Sequence, residues 1–457
     1  MSGPSLTIAR AAGTLSRRLG RGGGTSLPGK MLLRMRPDAV RDLAVGLTRG
    51  VALVSATNGK TTTARLLGAC ARRAGWAVAA NPAGANLLSG IATALVEARG
   101  RRPPAELGLF EVDEAALPEV TSQTEPRTLL LMNLFRDQLD RYGELEHLAS
   151  RWGELVAGLP ESTRVVLNAD DPAVAALGVG RRGVLTFGLE DPSAGGTELP
   201  HAADSVRCRA CSAPLAYDRV YLGHMGRWRC TECGLARPTP DVRATRVTLD
   251  GVRGLSLDVE TPAGPVRARL ALPGLHNAYN ATAAIAGALA LGVPVEHLAP
   301  ALESSTAAFG RAERLRVGER ELVLLLAKNP AGANEIVRTV LLDPEPLHVL
   351  MALNDRTADG HDVSWIWDVD YEPLLERLAR LTVTGDRAHD LALRFRYVGL
   401  DDERLEVVPD PGAALDAALA ATPDGRPLYA LPTYTAMLEL RALLVRRGVA
   451  VDFWRDA

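Results

Sequence analysis

Lysine is almost missing from this chain. Of its 52 basic residues only Lys30, Lys60 and Lys328 are Lys, and the rest are Arg. Genome composition is the bland cause, since Ala, Gly, Pro and Arg are all abundant, but it leaves Lys60 and Lys328 conspicuous. Cysteine is also sparse. Five Cys in 457 residues exclude a disulfide scaffold and point to a reducing cytoplasm. No apolar run approaches the ~18 residues of a membrane-spanning helix. Met1 to Arg21 hold scattered Arg without the apolar core of a signal peptide, which argues against export. A net charge of −2 offers no global field to nucleic acid or an acidic membrane.

The length allows two or three domains, each with its own core. Residues 1–50 are Arg- and Gly-rich and read as a short N-terminal segment. From residue 51 to roughly 200, strand-like runs at Val51–Val54, Leu107–Val112, Thr128–Met132, Val165–Leu167 and Val184–Phe187 alternate with helical stretches. That alternation predicts a parallel sheet with crossover helices. A Cys-rich insert spans 204–238, strand patterns resume at Val242–Val259, and Leu275–Leu291 reads as an Ala-rich helix. Further runs at Leu322–Leu326, Leu347–Leu353, Arg380–Thr384, Tyr397–Val398 and Leu428–Ala430 predict a second, smaller α/β domain. The expected division is 1–50, 51–310 and 311–457.

The stretch Val51 to Thr63 carries the sharpest signal. A buried-type strand feeds a loop with Asn58-Gly59-Lys60-Thr61-Thr62, and a helix follows. Loop N–H groups and a helix N-terminus then face an anion, Lys60 reaches terminal phosphates, and Thr61 can ligate Mg²⁺. The general G-x-x-x-x-G-K pattern puts its first Gly where this chain has Val54, so the loop is a variant form.

Other candidates gather at predicted strand ends, where open α/β sheets hold ligands. Glu111, Asp113 and Glu114 close one strand; one of them can hold a phosphate-bridging Mg²⁺, or the group is only a helix cap. Asn133, Asp137 and Asp140 follow the next strand and equally suit a solvated helix start. His276, Asn277 and Asn280 cluster on one turn, fit for a base or a phosphate-bound metal, with a plain capping turn as the alternative. Cys208-x₂-Cys211 and Cys230-x₂-Cys233, eighteen residues apart, predict a closed tetrahedral Zn²⁺ ribbon, since four thiolates leave no open position. Cys70 reads as a small core residue.

Taken in order, Thr-Asn-Gly-Lys-Thr-Thr, Glu111, Asp137-x-x-Asp140, Gly-x-His276-Asn277-x-x-Asn280 and Gly310-Arg311-x-Glu313 resemble the Mur ligase family over residues 51 to about 450. The resemblance implies a central ATPase domain and a Rossmann-like C-terminal domain. It implies an ATP-dependent carboxylate–amine ligase acting through an acyl phosphate. Lys60 and Thr61 would hold phosphates and Mg²⁺, and Glu111 would bind metal. Asn133, His276, Asn277, Asn280, Arg311 and Lys328 would line the nucleotide site.

Three departures narrow this. The nucleotide-sugar domain of murein precursor ligases is missing, and no Lys lies between Lys60 and Lys328 to be carbamylated as in most of them. A Cys₄ insert also interrupts the ATPase domain. With Leu353-Asn354-Asp355, the Trp-rich segment at 358–368 and Leu431 to Met437, the chain resembles the family's amidating branch. There the resemblance implies conversion of the D-glutamate α-carboxylate of lipid II to D-isoglutamine, with ammonia from a GatD-like glutamine amidotransferase subunit. An Asp of this chain would complete the partner's Cys–His site: Asp359, with Asp355 and Asp362 as rivals. Peripheral contact with the inner face of the plasma membrane is left open. A folylpolyglutamate synthase-like ligase is the alternative within the fold. A nucleic-acid ATPase is disfavoured by the neutral charge.

Overall fold

The computed structural model describes residues 8–9, 26–82, 84–136, 142–201, 203–305 and 311–450. Its apolar runs become central strands. β1 (Val51–Ser55), β3 (Leu107–Glu111) and β4 (Thr128–Leu131) are buried at every position, as parallel strands with helices on both faces must be. They share a sheet with β2 (Val78–Ala80), β5 (Arg164–Asn168) and β6 (Val184–Leu189). β9 (Val242–Asp250) joins β6 in parallel, and β10 (Gly254–Glu260) and β11 (Val266–Leu270) extend that edge antiparallel. The nine-stranded order is β11-β10-β9-β6-β5-β4-β1-β3-β2. The strand patterns expected at Val242–Val259 are these two strands, β9 and β10. Gly251, with φ 52°, makes the turn between them, a backbone conformation that side chains with a Cβ resist.

One sheet face is covered by helices Lys60–Arg73 and Leu275–Leu291, whose Leu66, Leu67, Cys70, Ala278, Ala284 and Ile285 lie in one core. Burial pushes the Cys70 thiol up to about 12, so it behaves as the inert core residue expected. On the other face, helices Leu27–Met35, Ala39–Ala44 and Leu88–Ala98 share a second core with Phe110 and Trp152. Close approach needs Gly29: a Cβ there would sit 1.8 Å from the Ser89 carbonyl oxygen. Among the described residues no helix is long and apolar enough to cross a membrane.

The second sheet, six-stranded, runs β12 (Arg311–Val317), β13 (Arg320–Leu325), β17 (Pro427–Pro432), β14 (Leu347–Ala352), β15 (Leu378–Thr384), β16 (Leu405–Val407). Only β12 is antiparallel to its neighbour. The strand expected at Tyr397–Val398 is absent. Tyr397 instead ends helix Ala388–Tyr397, and Leu405–Val407 supplies the edge strand. A two-residue apolar run cannot distinguish a helix end from a strand. The Trp-rich segment is a short 3₁₀ turn, Ser364–Asp368, with Trp365 and Ile366 buried and Trp367 partly exposed.

Helix Pro330–Val340 of the second sheet's layer meets the first. Its Ala331 joins the core around Leu275, and Arg338 Nη1 donates to the Tyr221 carbonyl at 3.2 Å. Burial on this helix pushes the Glu335 carboxyl up to about 7, against the counter-pull of Arg338. A raised carboxyl means the folded chain holds the extra proton between pH 4.5 and about 7, so stability falls as pH rises through that window. Glu335→Gln should flatten this slope, worth on the order of 3 kcal/mol. Denaturant titrations on either side of the window check it; an unchanged slope in the variant would refute the assignment.

Candidate nucleotide site and metal centre

β1 ends in Ser55, whose hydroxyl donates to the Val112 carbonyl at 2.9 Å. The chain then turns through Ala56–Gly59 into helix Lys60–Arg73. Asn58 and Asn133 pair both ways: the Asn58 N–H donates to Asn133 Oδ1 at 2.9 Å, and Asn133 Nδ2 to the Asn58 carbonyl at 3.0 Å. Thr57 Oγ1 accepts from the Phe135 N–H at 3.0 Å. These bonds tie the loop to the chain leaving β4. Gly59 adopts φ 91° at the helix N-terminus, and a Cβ there would meet Asn280 Oδ1 at 2.1 Å. Glycine is required here on both counts.

Lys60 Nζ donates to the Ala56 carbonyl and pairs with Glu114 Oε2 at 2.6 Å. Its partner is thus Glu114, beyond the strand end that also carries Glu111. Glu111 is buried, and its Oε1 accepts from the Gly84 N–H at 3.3 Å. Thr61 is partly exposed and Thr62 buried on the first helical turn. Thr63, buried behind them, donates to Asn280 Oδ1 at 3.3 Å. Asn280 Nδ2 donates to Asn277 Oδ1 at 2.9 Å, and Asn277 Nδ2 lies 3.0 Å from His276 Nε2. The turn at 276–280 therefore abuts the loop at Gly59. From the second sheet's layer comes Asn329, fully buried, whose Nδ2 donates to Asn58 Oδ1 at 3.0 Å. Lys328, half-buried, precedes it. Arg311 opens β12; its side chain, with Asp137 and Asp140, lies outside the described residues.

The four cysteines converge: every Sγ lies within 4.8 Å of the others. Cys208–Cys233 and Cys211–Cys230 approach to 3.5 Å. Hairpin β7 (Leu215–Leu222) and β8 (Met225–Cys230) carries the insert. The N–H groups of Cys233 and then Glu232, aimed at Cys230 Sγ, pull that thiol down to about 6, favouring the thiolate a metal needs. This donor set fits Zn²⁺.

Sequence reasoning passed over the ground beneath the insert. After β5 come Asn168-Ala169-Asp170-Asp171-Pro172, the same strand-end acidic pattern that singled out Glu111. Asp171 caps helix Pro172–Ala176, accepts from the Leu134 N–H at 2.9 Å and lies 3.2 Å from buried His224 Nε2. Asp170 takes Arg237 Nε on one oxygen at 2.6 Å and the Tyr279 hydroxyl on the other at 2.6 Å. Burial pushes its carboxyl up, while Arg237 pulls it back.

The three C-terminal aspartates do different work within the chain. Asp359, 8% exposed, accepts from the Thr435 N–H at 2.8 Å and from its hydroxyl. Asp355 pairs with Arg387 at 3.1 Å, and Asp362 accepts from the Ser364 N–H at 2.8 Å. Asn354, quoted in the sequence motif without a role of its own, bridges the ends of β14, β15 and β17: its N–H donates to Thr433 Oγ1, its Nδ2 to Thr435, and its Oδ1 accepts from the Asp386 N–H.

Comparison with known proteins agrees with both halves of this geometry. Residues 54–214 match the Mur ligase middle domain and residues 326–437 the MurT ligase C-terminal domain. The lipid II isoglutaminyl synthase (glutamine-hydrolyzing) subunit MurT of Streptococcus pneumoniae is 32% identical, covering 97% of both chains. The same subunit of Staphylococcus aureus is 30% identical, again over 97% of each. In three dimensions the chain is similar to a pseudomurein peptide ligase type C of Methanothermus fervidus. That match has a TM-score of 0.68 at 19% identity and covers 87% of this chain and 79% of that one. With such identity along nearly its whole length and both halves matched, the chain belongs to the MurT family of Mur ligases.

Proposed function

We propose that the protein amidates the D-glutamate α-carboxylate of the lipid II stem peptide to D-isoglutamine, as the synthetase half of a glutamine-hydrolysing pair. The single observation that carries this reading is the Asn329–Asn58 hydrogen bond. It sets the MurT-type C-terminal layer directly against the phosphate loop, which supports a carboxylate held between the layers being brought near a terminal phosphate. Membership of the family implies ATP and Mg²⁺. When bound, Mg²⁺ would supply charge neutralisation for phosphoryl transfer. Thr61 and the buried Glu111 are the residues that would hold it, and Lys60 would turn from Glu114 to the phosphates. Asn277, Asn280, His276 and Lys328 would complete the nucleotide site, with Asn133 fixing the loop.

In this scheme the substrate carboxylate attacks the γ-phosphorus, ADP leaves, and an acyl phosphate forms. Ammonia then attacks the acyl carbon and inorganic phosphate departs. Ammonia must arrive unprotonated, so a glutaminase subunit of GatD type would deliver it across a shared interface. Cys70 is buried in the core and the other Cys converge on one metal site; none is placed as a glutaminase nucleophile. The ATPase unit would be 51–310, and 311–457 would meet the partner, with Asp359 completing the partner's Cys–His site.

The test compares ammonium with glutamine as nitrogen source, by mass spectrometry of lipid II. The chain alone should amidate lipid II with ATP and ammonium, and use glutamine only with its partner. Asp359→Asn should lower the glutamine-dependent rate of the pair by about 10²-fold or more and spare the ammonium-dependent rate. If the chain alone used glutamine as well as the pair does, the two-subunit reading would be wrong. Loss of the glutamine-dependent rate in Asp355→Asn or Asp362→Asn instead would move the role to that residue.

A further inference from the structure

We propose that the Cys₄ ribbon positions the nucleotide loop, through a buried chain Arg237–Asp170–Tyr279 that sets the helix bearing Asn277 and Asn280. The inference rests on reading that loop as the ATP site.

The insert and the Ala-rich helix meet at Asp170. Arg237 lies just past Cys233, and every guanidinium nitrogen is engaged: Nε on Asp170, Nη1 on Glu190 at 2.6 Å, Nη2 on the Leu189 carbonyl at 2.8 Å. β8, which ends in Cys230, grips the same turn from above. The Gly226 N–H donates to the Asp170 carbonyl at 2.9 Å and Trp228 Nε1 to the Ala169 carbonyl at 3.1 Å. On its far side Asp170 holds the Tyr279 hydroxyl and the Leu189 N–H. Tyr279 immediately precedes Asn280, whose amide oxygen touches Gly59 and Thr63.

The chain is made of directional contacts centred on the buried Asp170 and Tyr279, where each has a definite length and angle and an unmade one is costly. The ribbon's own core is only Ala175, Cys208, Leu215, Trp228 and Cys230, with a few half-buried neighbours. So small a core depends on its metal to stay ordered. With the metal gone, the 230–237 segment loosens and Arg237 is no longer held over Asp170. The carboxylate loses its main counter-charge, and the Tyr279 contact that fixes Asn280 against the loop weakens with it. Arg237, Asp170 and Tyr279 are thus positioning residues, two steps removed from any phosphate.

A double-mutant cycle tests the coupling. Tyr279→Phe removes one hydroxyl and keeps the ring. Cys208→Ser with Cys233→Ser removes the metal, which elemental analysis confirms. A fluorescent ATP analogue gives the Kd of each full-length variant, and steady-state assays give KM and kcat. Tyr279→Phe should retain zinc and weaken ATP binding roughly three- to tenfold, with the effect in KM rather than kcat. The cysteine variant should weaken it at least as much, and the combination no further. Wild-type ATP affinity in Tyr279→Phe, or effects that multiply in the combination, would overturn the proposal. If the cysteine variant does not fold, Arg237→Lys takes its place in the cycle, since it keeps the charge and loses the three-way grip. Lys60→Ala separates the two levels. Unchanged ATP binding there would sink the nucleotide reading itself, whereas impaired binding there with a multiplicative cycle sinks only the coupling.

Discussion

Lys60→Ala should lower ATP-dependent amide formation by on the order of 10²–10³-fold, measured as ADP release and as amidated lipid II. The Lys60 ammonium group is already held at the phosphate loop. The Ala56 carbonyl and Glu114 Oε2 hold Nζ at the mouth of the helix. Lys60→Arg should not restore the rate. A planar fork differs from a compact point charge, and the loop is closed around it by Asn58, Asn133 and Asn280. The fold should survive, because Lys60 and Glu114 are partly exposed and form a single pair. An unaltered rate in Lys60→Ala would remove the energy source on which the whole reading depends.

Removing metal from the cysteine site should have the largest effect on stability. Wild-type protein should carry one Zn²⁺ per chain. A strong chelator, or Cys208→Ser with Cys233→Ser, should lower the melting temperature by roughly 5–10 °C and expose 204–238 to protease. Metal content should fall as the medium is acidified, because protons compete with the metal for the thiolates. Direct elemental analysis and thermal melts check both. Melting that is indifferent to chelation, with no bound zinc, would leave four clustered thiols and no metal centre.

Several features were legible because they are local. The strand–loop–helix at 51–73 rests on an apolar run, a glycine and a helical pattern. The Ala-rich helix at 275–291 appears with the bounds expected. The cysteine spacing predicted convergence, and the thiols converge. Another expectation failed for an equally local reason: Tyr397–Val398 was too short to tell a helix end from a strand. The strand-end rule identified Glu111 but was not applied to Asp170 and Asp171, which follow β5 in the same way. Their burial under the insert gives them a different partner set.

By itself the amino-acid sequence determined the phosphate loop, the cysteine quartet, the α/β alternation and the family these imply, because each depends on spacing within one or two elements. Only the tertiary structure decided who pairs with whom. Lys60 with Glu114 spans 54 residues, Asp170 with Arg237 spans 67, and Asn58 with Asn329 spans 271. Lys60 and Glu114 meet because β1 and β3 are neighbours in one sheet, Arg237 reaches Asp170 from the insert, and Asn329 comes from the second sheet's layer. Strand order follows from which faces bury together across the chain, and spacing along the chain does not encode it.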